Sequence, residues 1–133
     1  MAAEKKVVVD ASVVVKWFLN EVDSAKALEL LDAHIAGNML LIIPDLAFIE
    51  VMNVLRYKGK SIEELAKANR ALWDLQLHVE KTSSFLLEKA AQVALKYDFS
   101  FYDALYVALA GLFGVPLITA DKDLQKAPNV VLL

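Results

Sequence analysis

Four carboxylates stand where their neighbours are apolar or small. Asp10 follows a valine run in KVVVDAS, and Glu50 lies in DLAFIEVMNVL, six residues after Pro44. Asp103 opens the apolar stretch SFYDALYVALAG, and Asp121 closes PLITAD, with Asp123 two residues on. If these acids meet, they repel. Two unit charges ~5 Å apart at an effective dielectric of ~20 cost about 3 kcal/mol per pair. A fold that collects several needs compensation. The chain has no cysteine, and His34 and His78 fall in helix and strand contexts away from the acids. Oxygen-only ligation points to a hard cation, Mg²⁺ or Mn²⁺. One or two such ions could activate water and stabilise a leaving oxygen in phosphodiester hydrolysis.

Each acid also has a plainer role. Ser100 and Asp103 form an S-x-x-D box, so Asp103 could cap its helix. Asp10 could cap the helix after the first strand. Asp121 and Asp123 could be turn residues in TADKD. Glu50, between Ile49 and Val51, could pair with Arg56 or Lys58. Capping and metal binding do not exclude each other.

The elements that must position these residues read from periodicity and punctuation. KKVVV, MLLIIP, LHVEKT, VPLITAD and NVVLL read as strands, several of them β-branched and continuous like strands covered on both faces. Helices are expected over SVVVKWFLN, DSAKALELLDAHIAG, DLAFIEVMNVLRYKG, SIEELAKANRALWDLQ, SSFLLEKAAQVALKYD and SFYDALYVALAGLFG. Gly37, Gly59 and Gly114 end three of them, and Ser61 with Glu64 starts one as a capping box. Strands alternating with helices, often paired helices, predict an α/β fold: a three-layer α/β/α sandwich around a mostly parallel sheet of about five strands. In such sheets ligands bind outside the carboxyl ends of the strands. Asp10 and Asp121 end strands, Glu50 lies within two turns of one, and Asp103 opens a helix. Four separate parts of the chain thus send an acid towards one edge.

The 133 residues amount to a single domain, 1–133. At 58% hydrophobic there is ample core, and some apolar surface is expected to bury against a partner. A net charge of −3 argues against broad clamping of duplex nucleic acid, but not against a short substrate reached through a metal. The opening MAAEKKVVVDASVVVKW mimics a secretory leader, but Asp10 and Lys16 interrupt it. It reads as a first strand, with no membrane span and a cytoplasmic home expected.

Taken together, VVVDASVVVKW, IPDLAFIEVMNVL and FSFYDALYVALAGLFGVPLITADKDL resemble the PIN-domain nucleases, and most closely the VapC toxins of prokaryotic toxin–antitoxin pairs. The likeness spans essentially the whole chain. It implies a Mg²⁺- or Mn²⁺-dependent endoribonuclease with Asp10, Glu50, Asp103 and Asp121 as the metal-binding acids. Asp123 would be a further ligand or lie just behind them, and Ser12, Asn53 and Thr119 would be the accompanying polar residues. It also implies an RNA substrate, a cognate antitoxin protein and a homodimer or higher homo-oligomer. Leu124 stands where that family often has an aromatic residue, which bears on packing.

Lys16, Arg56, Lys58 and Lys122 are candidates for phosphate contacts, as against solvated surface. Trp17 and Tyr102 are candidates for base stacking, as against core packing. Two other readings remain. One is a Mg²⁺-dependent aspartyl phosphotransfer or phosphatase domain, although the phosphatase type wants a second Asp where Ser12 stands. The other is a catalytically silent PIN-like module that binds a partner protein.

Overall fold

Valine-rich runs need cover on both faces, and the chain supplies it. In the computed structural model, which describes residues 5–133, β1 (Lys5–Val9) buries Val7, Val8 and Val9 completely. Met1–Glu4, part of the leader-like stretch, lie outside the described residues. β2 (Met39–Pro44), β3 (His78–Glu80), β4 (Leu117–Thr119) and β5 (Val130–Leu132) complete a five-stranded sheet in the order β3-β2-β1-β4-β5. Every neighbouring pair is parallel. The register sets Val8 beside both Ile42 and Leu117, the centre of the core.

Between the strands lie α1 (Ala11–Val14), which tightens into a 3-10 turn over Val15–Trp17, and α2 (Ser24–Ile35). α3 (Leu46–Tyr57), α4 (Ile62–Asp74), α5 (Ser84–Tyr97) and α6 (Phe101–Phe113) follow. Right-handed crossovers put α1 to α4 on one face of this sheet and α5 and α6 on the other, because the chain runs outward to β3 and then returns past β1 to β4. The sandwich therefore has the three layers expected.

α6 is the most deeply set helix. Ala104 to Ala110 are all buried, and the helix packs on β1, β2, β4 and α5. Its alanines let it sit close to both neighbours. Ser100 caps its start by accepting the Asp103 N–H at 3.2 Å. Gly114, at φ 65°, ends it in the left-handed conformation that glycine adopts without steric cost. Leu124 is fully buried, so an aliphatic side chain fills that part of the core.

Parallel strands present their carboxyl ends on one edge. β1 delivers Asp10 there and β4 delivers Asp121. A backbone bond from the Asp10 N–H to the Ile118 carbonyl, 3.0 Å, locks the two strand ends together. α3 starts just after β2 and carries Glu50 in its second turn; α6 carries Asp103 in its first.

Candidate active site and metal centre

Asp10 is buried with only 6% of its surface exposed. It occupies the N-cap position of α1, yet its side chain makes no capping bond. Its Oδ2 accepts hydrogen bonds from Thr119 Oγ1 at 2.7 Å and Ser12 Oγ at 3.0 Å. Thr119 Oγ1 in turn accepts the Asp121 N–H at 3.0 Å, and Ser12 Oγ accepts the Ala120 N–H at 3.0 Å. Two hydroxyls thus fix Asp10 against the turn that carries Asp121. Oδ1 is left without a side-chain partner among the described residues.

Asp103 does not serve its helix as a reciprocal cap. Ser61 and Glu64 show what that looks like: each bonds to the other's backbone N–H, at 3.2 and 3.0 Å. At α6 only the serine half is made, and the half-buried Asp103 carboxylate returns no bond to the Ser100 backbone. Asp121 caps the 3-10 turn Lys122–Lys126 by accepting the Asp123 N–H at 3.0 Å, so its turn role holds as well. Glu50 pairs with neither Arg56 nor Lys58. Its Oε1 accepts a 2.6 Å bond from the Tyr106 hydroxyl. Lys58 goes instead to Glu21, 3.6 Å away, and Arg56 lies over the Tyr57 ring.

Burial raises the pKa of Asp10, Glu50 and Asp103 above the usual carboxylate range, and neighbouring acids raise those of Glu50 and Asp103 further. For Glu50, after burial, the charges of Asp10 and Asp103 push upward against the Tyr106 bond. For Asp103 the charges are those of Asp10, Asp121 and Asp123. All five acids named from the sequence therefore share one electrostatic neighbourhood. Among the described residues, no lysine, arginine or histidine forms an ion pair with any of them. Asp45, also at this edge, differs: both its oxygens are taken by Thr82, at 2.7 and 3.1 Å.

An oxygen-only cluster of acids, uncompensated among the described residues, suits a hard divalent cation. Among the described residues, no three carboxylate or imidazole groups close tightly enough around one point to hold an ion directly. Mg²⁺ dehydrates reluctantly and keeps several waters, so partly water-mediated ligation is compatible with this spacing.

The accompanying residues divide. Ser12 and Thr119 bond to Asp10 as described. Asn53 is exposed one turn beyond Glu50, lining a shallow depression with Met52, Arg56 and Asn69, and no side-chain hydrogen bond joins it to an acid among the described residues. Lys16 is held by the Val22 carbonyl at 2.8 Å and by Glu21, and Lys122 is exposed. Trp17 packs against the core and donates to the Ala27 carbonyl at 2.9 Å, whereas Tyr102 is exposed. His34 stands apart, bonded to the Leu75 carbonyl and the Leu41 N–H. Tyr106 was not singled out by sequence reasoning. The available signal was its position three residues after Asp103, on the same helical face, and the need of a buried tyrosine hydroxyl for a partner.

Two outcomes follow from this geometry. Thr119→Val removes a buried hydroxyl that serves both Asp10 and Asp121, and is expected to cost about 1–3 kcal/mol by urea unfolding at unchanged slope. The raised carboxyl pKa values mean that the native state binds protons more tightly than the unfolded chain. Their stabilising contribution is full below the ordinary carboxylate range and is lost as pH rises through the raised values. The melting temperature of chelator-treated protein is therefore expected to fall over the interval above the ordinary carboxylate range. A rise over that interval would contradict the shifts.

The description "PIN domain" fits residues 7–130. Ribonuclease VapC3 of Pyrobaculum aerophilum is 32% identical over 95% of this chain and 98% of its own. Ribonuclease VapC1 of Mycobacterium tuberculosis is 35% identical over 92% and 91%. The crystal structure of M. tuberculosis VapC20, a sarcin-ricin loop cleaving toxin, superposes with a TM-score of 0.75 at 18% identity, covering 93% of this chain and 96% of that one. A toxin–antitoxin complex from Klebsiella pneumoniae gives 0.73 at 22%, covering 94% and 95%. With a PIN-domain match over residues 7–130 and relatives above 30% identity along nearly their whole lengths, the chain belongs to the PIN-domain family.

Proposed function

We propose that this chain is a divalent-metal-dependent endoribonuclease and the toxin half of a toxin–antitoxin pair. The observation that carries the reading is that Asp10, Glu50, Asp103 and Asp121, from four separate parts of the chain, share one electrostatic neighbourhood with no paired cation among the described residues. The relatives named as ribonucleases supply the substrate class, and the neighbours that are toxin–antitoxin complexes supply the partner.

Asp10, Asp103 and Asp121 would hold Mg²⁺ or Mn²⁺, with Asp123 beside Asp121 as a further ligand or support. Glu50 would complete that site or hold a second ion, and orient the attacking water. Bound there, the ion supplies positive charge for the departing oxygen and makes water a better nucleophile at neutral pH. Thr119 and Ser12 keep Asp10 aimed by occupying its other oxygen. Asn53, exposed one turn from Glu50, lies where a substrate could touch it.

A protein partner or second copy is supported by apolar side chains left on the surface. Ile49, Tyr57, Ile62 and Trp73 are exposed on α3 and α4, and Phe85, Phe101, Tyr102 and Leu112 on α5 and α6. Among the described residues no helix is long and apolar enough to cross a membrane.

The test is RNA cleavage by purified protein freed of any bound partner. Cleavage with Mn²⁺ and none with chelator is expected. Failure to cleave any RNA would favour the silent binding module. An acid-stable phosphate trapped on Asp10 would favour the phosphotransfer reading.

A further inference from the structure

Tyr106 is 1% exposed, in the middle of α6, where phenylalanine would satisfy packing equally well. A hydroxyl at such a depth needs a partner. This one donates to Glu50 Oε1, at 2.6 Å and 56 residues away in sequence, while its oxygen also meets the Ala11 backbone N–H. The bond is of the short, charge-assisted kind. It joins α6, on one face of the sheet, to α3, on the other, at the edge where the acids meet. On α6, Asp103 and Tyr106 are one turn apart and share a face. One helix therefore presents an acid of its own and a donor that restrains an acid of another helix.

We propose that Tyr106 is a positioning residue for the metal centre: its phenol occupies Oε1 of Glu50 and holds the side chain towards Asp10 and Asp103, leaving Oε2 as the oxygen that faces an ion. Asp10 is treated the same way, with Oδ2 taken by Thr119 and Ser12 and Oδ1 without a side-chain partner among the described residues. Both acids are thus prepared to offer one oxygen each. Partners of this sort behind a ligand commonly change metal affinity by 10- to 100-fold when removed. The inference rests on the metal-dependent reading above.

Calorimetric titration of Mn²⁺ into the metal-free protein tests it, using wild type, Tyr106→Phe, Glu50→Gln and the double variant. Tyr106→Phe is expected to weaken Mn²⁺ binding by about 10- to 100-fold while leaving the far-ultraviolet circular dichroism unchanged. In the Glu50→Gln background the same substitution is expected to change affinity little, because the tyrosine acts through the carboxylate. A general loosening of the core would weaken binding equally in both backgrounds and would overturn the proposal. Equal affinity of wild type and Tyr106→Phe would also overturn it while leaving the nuclease reading standing. Absence of Mn²⁺ binding by wild type would remove that reading, and the proposal with it.

Discussion

Asp103→Asn protein is expected to cleave RNA on the order of a thousandfold more slowly than wild type, yet to melt at the same temperature or higher. The two halves of this outcome have separate causes. The backbone N–H that Ser100 accepts at the start of α6 belongs to residue 103 whatever its side chain, so the cap survives. The carboxylate returns no bond to the Ser100 backbone, and burial first, then the charges of Asp10, Asp121 and Asp123, disfavour its ionised form against a hydrogen bond from the Ser100 side chain. Replacing it with a neutral amide of the same shape relieves that repulsion in the metal-free protein and removes the anionic ligand proposed for the ion. Cleavage kinetics and a thermal melt on the same preparation check both. A variant that is less stable and equally active would return Asp103 to an ordinary capping role.

The second large effect is on stability. If a divalent ion binds the native pocket and not the unfolded chain, an ion concentration a hundred times its dissociation constant adds about 2.7 kcal/mol. A domain of this size gains about 3–5 °C per kcal/mol, so Mn²⁺ should raise the melting temperature by about 10 °C. The rise should grow as pH climbs through the raised carboxyl values, because the ion binds the charged acids, and should largely vanish in Asp10→Asn. Differential scanning fluorimetry with and without chelator reads this directly. A melt unmoved by millimolar Mn²⁺ would speak against an ion as the compensation for these charges.

Much of this arrangement is legible in the sequence because the signals are local. KKVVV, MLLIIP and PLITAD are β-branched or apolar runs that end at a proline or an acid, so both the strands and the residues they deliver can be read off. The Ser61–Glu64 capping box and the stop at Gly114 are equally local, and both appear as expected. What escapes is tertiary. In ALYVALAG, Tyr106 reads as one more core side chain, because its partner Glu50 lies on another helix across the sheet edge. Glu50 could be expected to pair with Arg56 or Lys58 one or two turns away on its own helix. Instead the segment after the Val15–Trp17 turn brings Glu21 up to Lys58, and no local pattern announces that. Asn53 shares a face with Glu50 as helical spacing demands, but the spacing does not say what it touches. Thr119 and Ser12 were legible only as companions of the acids. Their common target, Oδ2 of Asp10, follows from the β1–β4 register, which sets Val9 beside Ile118.

The proposed chemistry requires that carboxylates from the end of β1, from α3, from α6 and from the turn after β4 jointly hold a divalent ion. Crystals grown or soaked with Mn²⁺ and measured for its anomalous signal test this most directly. The prediction is a manganese peak ligated, directly or through water, by Asp10, Asp103 and Asp121, with Glu50 at its flank. No peak at full Mn²⁺ loading, or peaks only at other surface acids, would contradict it.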